Sequence, residues 1–404
     1  MNPYEPYLAW IDSQLDSMRR LVMVWAGTNS AGGNQAGLLE MCGLLKKAFQ
    51  VLNADIEEVA LPSYASIDDR GNATEKALGR ALVIKMRSEA HLRVFLSIHM
   101  DTVFGPEDSV GTPTQLGEKR LQGPGVADAK GGLAVVLKAL EAFERSPFAD
   151  RVGWELLINP DEEIGSPGSA SILAEAAARH QFGLVFEPAL PDGALVAARK
   201  GSGNFVATFH GKAAHAGREP HKGRSAINAM ARFILDLNSI QEESPGITVN
   251  VGRVSGGGAL NVVPDLAQCR FNIRIPTPED QAGVLGRLEH LVAQVNRREG
   301  LSVELRGAFT RPAKPLDYRT EHLLNLISKC GNELGLSLDW RSSGGVCDGN
   351  NLSAAGLPTV DSMGVRGDHL HSPHEVLYLD SLTERAKLTA LLLMKLGSGE
   401  IEAP

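Results

Sequence analysis

The sequence predicts an α/β fold: a main unit built on a mixed, largely parallel sheet flanked by helices, interrupted by an inserted α+β unit of ferredoxin-like order. Three observations carry this. Short apolar strands alternate with longer helix-patterned stretches over the first half of the chain, which argues for βα units. Near residue 200 the texture changes to strand–helix–strand–strand–helix–strand, the order of a split βαβ unit. The last ~90 residues then return to the first texture. At 404 residues the chain also exceeds what one core usually serves. The expected division is 1–200 and 313–404 for the main unit and 201–312 for the insert.

Residues 8–52 space Leu, Met and Val as an amphipathic helix does, as in Met18, Leu21 and Val22 and then Leu38, Leu39, Leu44 and Leu45. Candidate strands follow at 81–86, 93–98, 154–158, 184–186 and 357–363, with helices at 132–144 and 169–180 between them. In the insert, 203–210 alternates like a half-exposed strand. A helix is expected over 224–238, strands near 247–254 and 267–275, and a second helix over 279–297. No internal repeat is visible, which excludes a solenoid.

A chain that is 43% hydrophobic and 22% charged reads as an ordinary globular protein. Its net charge of −8 argues against nucleic acid or an anionic membrane as partner. Four scattered cysteines, with no C-x-x-C pair, point to a reduced compartment. The polar, acid-containing N-terminus lacks the apolar stretch of a signal peptide, and no segment approaches a membrane span, so a cytoplasmic protein is expected.

Metal-ligand residue types recur just beyond apolar strands, where open α/β sheets gather their ligands. Strand 93–98 runs into His99, and Asp101 lies on the same face of an extended chain. A ligating histidine usually gives its other N–H to such a carboxylate, although a buried structural His–Asp pair has the same pattern. The glycine-rich segment 123–132 holds Asp128, an acid able to bridge two ions. It holds no G-x-x-x-x-G-K-[ST] phosphate loop, and the sixth place of a would-be dinucleotide fingerprint is that aspartate. Strand 154–158 leads to Asp161-Glu162-Glu163. Three adjacent acids are usually a solvated run, but a nearby cation relieves their repulsion. Glu162 and Glu163 point in different directions, so one can ligate while the other acts as base. Strand 184–186 ends at Glu187. A last ligand is expected from the histidines at 369, 371 and 374, among which spacing does not choose.

At these residues the sequence resembles the zinc-dependent aminoacylase/carboxypeptidase superfamily, peptidase family M20, most closely its glutamate-carboxypeptidase branch. The resemblance runs through HMDTV (99–103), GPGVADAKGG (123–132), DEEIGS (161–166), FEP (186–188), GKAAHAG (211–217), NVVPD (261–265), GGVCDGN (344–350) and HSPHE (371–375). It implies two zinc ions per subunit, with cobalt or manganese able to serve the same ligands. Asp128 would bridge them, His99 and Glu187 would complete one, and Glu163 and His371 the other. Glu162 would be the general base and Asp101 the partner of His99. The insert would act as a lid and a homodimer surface, sending His215 into the neighbouring subunit's site, with Asn261 contacting substrate. Arg274 and Arg311 would bind a carboxylate through their forked donors, and Gly345 would lie against the substrate backbone. The peptide after Asp128 would be cis. Two positions depart from many relatives, Ala129 and Cys347, and both bear on substrate choice.

The expected function is hydrolysis of an amide or peptide bond beside a free carboxylate in a small peptide or N-acyl amino acid. The nearest rival is an N-acyl-amino-acid deacylase of the acetylornithine deacetylase kind. From other classes, a metal-binding protein without activity is opposed by the presence of Glu162, and a dinucleotide oxidoreductase by the failed glycine fingerprint. The chain contains no G-x-S-x-G elbow for a serine nucleophile.

Overall fold

The computed structural model describes residues 2–108 and 111–404. Its central sheet has six strands in the order Asp55–Ala60, Arg80–Met86, Val152–Asn159, Leu92–His99, Phe182–Val185 and Thr359–Val360. The last four run parallel, and Arg80–Met86 is antiparallel to both its neighbours. Val152–Asn159 is buried at every position, as a strand covered on both faces must be. Helix Gly132–Glu144 covers one face and is itself packed under the C-terminal helix Asp380–Ser398. Close approach there depends on Gly132, where a Cβ would stand 2.2 Å from the Phe186 carbonyl oxygen.

The helix-patterned stretch 8–52 is three helices, Glu5–Asp12, Leu15–Ala26 and Gln35–Phe49. Asn34 caps the third by accepting from the Gly37 N–H. The expected strand over 357–363 is shorter than its pattern: only Thr359–Val360 joins the central sheet, because the chain then turns at Ser362, which sits at φ +75°. The edge strand Asp55–Ala60 and the hairpin Tyr64–Ile67/Ala73–Lys76 carry too many polar residues for periodicity to reveal them.

The insert forms a four-stranded antiparallel sheet in the order Thr248–Gly256, Leu266–Ile275, Gly201–His210, Ser302–Arg311, with helices Ala226–Glu243 and Asp280–Asn296. Phe205, Phe209, Phe233 and Phe271 belong to a core of its own. Among the described residues, no helix is long and apolar enough to cross a membrane.

Candidate metal centre

Parallel strands bring their carboxyl ends to one edge, and the acid-bearing loops follow from there. His99 ends Leu92–His99, Glu162 and Glu163 lie just beyond Val152–Asn159, and Glu187 lies just beyond Phe182–Val185. Asp128 comes from the distorted turn Val126–Gly131 before the buried helix, and its peptide to Ala129 is cis. His371 arrives on the loop between the short strands Gly367–Asp368 and Val376–Tyr378.

Asp128 stands at the centre. Its Oδ1 lies 3.0 Å from His99 Nε2, and its Oδ2 lies 3.1 Å from His371 Nε2. Glu187 Oε1 is 3.7 Å from His99 Nε2, and Glu163 Oε2 is 3.5 Å from His371 Nε2. One carboxylate therefore separates two arms, each ending in an imidazole and a second carboxylate. Of the three C-terminal histidines, His371 is the one that meets Asp128. It does so from φ +59°, a left-handed conformation that non-glycine residues rarely adopt and that functional sites retain.

Asp101 is fully buried. His99 Nδ1 lies 3.1 Å from the Asp101 carbonyl oxygen and 3.4 Å from its Oδ1. The carboxylate also accepts the main-chain N–H groups of Glu162 (3.2 Å) and Glu163 (2.9 Å), so it fixes the acid pair as well as the imidazole.

Burial governs the charges here. It pushes the carboxyls of Glu163 and Glu187 well above the usual range, helped in both by the charge of Asp128. It pushes Glu162 up to about 7 against the opposing pull of Arg311. For His99, burial is outweighed by the carboxylates around it, Glu187 first, which hold its pKa well above the ordinary imidazole value. For Asp128 the hydrogen bonds from His371 and His99 outweigh burial and hold the carboxyl low. Glu163 Oε1 and Glu187 Oε1 are buried without a hydrogen-bond partner. Donor atoms of His99, Asp128 and Glu163 lie within 4.8 Å of one another, as do those of His99, Glu162 and Glu187. Orphaned carboxylate oxygens converging with imidazole nitrogens suit divalent cations, whose charge relieves this crowding.

A cavity of about 460 Å³ opens onto Asp128, Glu187 and His371. Its wall includes Arg274, which donates to the Gly344 carbonyl, and Gly345. His215 and Asn261 lie beside each other, with the Ala216 N–H donating to the Asn261 carbonyl at 2.9 Å, but neither lines this cavity. Arg311 does not line this cavity: its guanidinium is buried and bonded to Glu162, Ser166, Asp348 and Asn351.

Several supporting residues escaped the sequence reading. Glu375 Oε1 accepts the N–H groups of Ala127 (2.9 Å) and Asp128 (3.0 Å). Buried Lys130 donates to Ser30 Oγ at 2.7 Å and to the Met100 carbonyl. Arg199 lines the cavity with its Nε buried and unpartnered, and pairs with Asp361 at 2.8 Å. Glu375 and Lys130 stand within the quoted HSPHE and GPGVADAKGG motifs, a signal that was available; Arg199, at the end of an apolar run, gives none. Cys347 caps helix Asp348–Ala354, its sulfur accepting the Gly349 N–H at 3.3 Å, so the thiol performs the capping that a hydroxyl would.

The fold and the cluster together define a metal-dependent hydrolase scaffold, and the comparisons with known proteins agree. Residues 95–395 match the model of peptidase family M20/M25/M40. The chain belongs to that family, and it is a hydrolase. It is 26% identical over 390 residues to carboxypeptidase G2 of Pseudomonas sp. (strain RS-16), covering 96% of this chain and 90% of that one. It is 26% identical over 291 residues to succinyl-diaminopimelate desuccinylase of Nitrosospira multiformis, covering 69% of this chain and 75% of the relative. Among solved structures, the M20 metallo-carboxypeptidase Sso-CP2 of Sulfolobus solfataricus superposes with a TM-score of 0.73 at 15% identity, over 93% of this chain and 98% of the other.

Proposed function

We propose that the protein is a dinuclear zinc hydrolase that cleaves an amide or peptide bond beside a free carboxylate, in the manner of a glutamate carboxypeptidase. The observation that carries this reading is the division of Asp128 between His99 and His371, each backed by its own glutamate. His99 and Glu187 would hold one ion, Glu163 and His371 the other, and Asp128 both; cobalt or manganese fits the same donors. Bound there, the ions supply Lewis-acid activation of water and of the scissile carbonyl.

The chain's own residues do the rest. Glu162 takes the proton of the attacking water and returns it to the leaving amine. Asp101 holds His99 and the Glu162–Glu163 main chain in place. Arg274, beside Gly345 in the cavity wall, receives the substrate carboxylate and so fixes the scissile bond against the centre. Residues 201–312 act as a lid and as the surface of a homodimer. Fully exposed Leu260 and half-exposed Val262 flank Asn261 there, and His215 serves the second copy's cavity. Four buried, unpaired cysteines support a cytoplasmic setting.

The test is turnover by the zinc-loaded protein of a pteroyl-glutamate and N-acetyl-L-glutamate, measured against N-acetylornithine. Preference for the glutamates supports the carboxypeptidase reading. Preference for acetylornithine moves the assignment to an acyl-amino-acid deacylase. Equal inertness of wild type and Glu162→Gln across an amide panel, with metal bound in both, leaves a binding protein.

A further inference from the structure

Arg311 ends the last strand of the inserted sheet, yet its side chain turns into the main unit and is 2% exposed. One nitrogen, Nη2, donates to Glu162 Oε1 at 2.8 Å, to the Glu162 carbonyl oxygen at 3.0 Å and to Ser166 Oγ at 2.9 Å. The other, Nη1, donates to Asn351 Oδ1 at 2.9 Å and to Asp348 Oδ1. Asp348 is buried in turn and accepts from Asn159 Nδ2 at 2.8 Å and from the Ser166 hydroxyl.

We infer that Arg311, anchored by Asp348, is a positioning residue for the proton-transferring carboxylate of Glu162. The inference rests on the reading of Glu162 as the general base. Three features carry it. Glutamate has a long side chain with rotatable bonds, and a single guanidinium nitrogen spanning its main-chain oxygen and its carboxylate restricts that freedom from both ends. Among the described residues no hydrogen bond falls on Oε2, so Oε1 is the tethered oxygen and Oε2 stays free to accept a proton. Finally, the guanidinium is shared. Its Nη1 is held by Asp348 and Asn351 while Nη2 holds Glu162, so the group that positions the base is itself fixed. Because Arg311 also pairs with Ser202 in the inserted sheet, the contacts that seat the base tie it to the insert.

Arg311→Ala and Arg311→Lys, each in wild-type and Glu162→Gln backgrounds, test this in zinc-loaded protein on whichever glutamate amide the wild type cleaves. A misplaced base costs on the order of 100-fold. Arg311→Ala should therefore lower kcat about that far with KM nearly unchanged and zinc content intact, and free guanidinium should recover part of the loss. In the Glu162→Gln background the same substitution should cost almost nothing more, since residues acting as a unit are not additive. A raised KM with kcat preserved would make Arg311 a substrate ligand and overturn the inference. So would an undiminished loss in the Glu162→Gln background. If Glu162→Gln itself keeps full turnover, the base assignment fails instead. A crystal structure of the zinc-loaded Arg311 variants then decides the positioning without reference to activity: Glu162 held in its wild-type rotamer overturns it. Arg311→Lys serves if Arg311→Ala does not fold.

Discussion

Glu375 Oε1 accepts the main-chain N–H of Asp128 at 3.0 Å across 247 residues of sequence. It also accepts the neighbouring N–H of Ala127 at 2.9 Å, so one carboxylate oxygen pins the turn that presents the shared carboxylate. Outer partners of this kind set how well a centre holds its ions.

Glu375→Ala should therefore weaken zinc binding by about 10–100-fold while the fold survives. Glu375→Gln keeps a carbonyl acceptor at the same reach and should lose much less. Competition with a fluorescent chelator reads both affinities, and equal losses in the two variants would contradict the hydrogen-bond account.

Asp128→Ala should remove ions from both arms at once, because both imidazoles face its oxygens. His371→Ala, which touches one arm, should retain part of the metal. Elemental analysis after dialysis gives the stoichiometries, and identical metal content in the two variants would argue against a shared ligand.

Chelation should destabilise the wild-type protein. A ligand bound only to the folded state, at a free concentration about 100 times its Kd, contributes about 2.7 kcal/mol. Urea unfolding with zinc and with excess chelator measures the difference, which should vanish in Asp128→Ala.

Asp361 lies fully buried between Arg199 at 2.8 Å and Lys314 at 3.2 Å. Burial raises its pKa, but the two cations outweigh burial and hold the carboxyl below its ordinary value. A depressed folded-state pKa gives stability that is present above the unfolded value of about 3.9 and is lost as pH falls through the folded one. Asp361→Asn leaves two buried cations uncompensated and should cost about 3–5 kcal/mol at neutral pH. The gap between variant and wild type in urea unfolding should narrow as the solution is acidified below the unfolded value. A gap that stays constant would show that the charge is not its source.

Gly132→Ala tests the packing beneath the centre. Its Cβ would fall 2.2 Å from the Phe186 carbonyl oxygen, one residue before Glu187, so helix and strand must part. Overpacking costs about 1–3 kcal/mol, and thermal unfolding should show the loss together with weaker metal retention.

Periodicity and residue type alone determined much of this protein. The buried strands Arg80–Met86, Leu92–His99 and Val152–Asn159 were legible because apolar runs bounded by polar turns are strong local signals. His99, Glu162, Glu163 and Glu187 were legible because they end or follow buried strands, and Asp128 because it stands in a glycine-rich turn before a helix. The insert's order was visible because alternation gave way to longer helical spacing. What the tertiary structure decided is everything that depends on approach between distant segments. Spacing left His369, His371 and His374 open and only the family resemblance named His371; the loop between two short strands sets that imidazole against Asp128. The tertiary structure set Arg311 against Glu162, because the direction of a long side chain follows from the packing around it. It also revealed Glu375, Asp361 and Asp348 as supports. Local pattern reports which residues one segment buries; hydrogen bonds that cross hundreds of residues exist only once the chain has closed on itself.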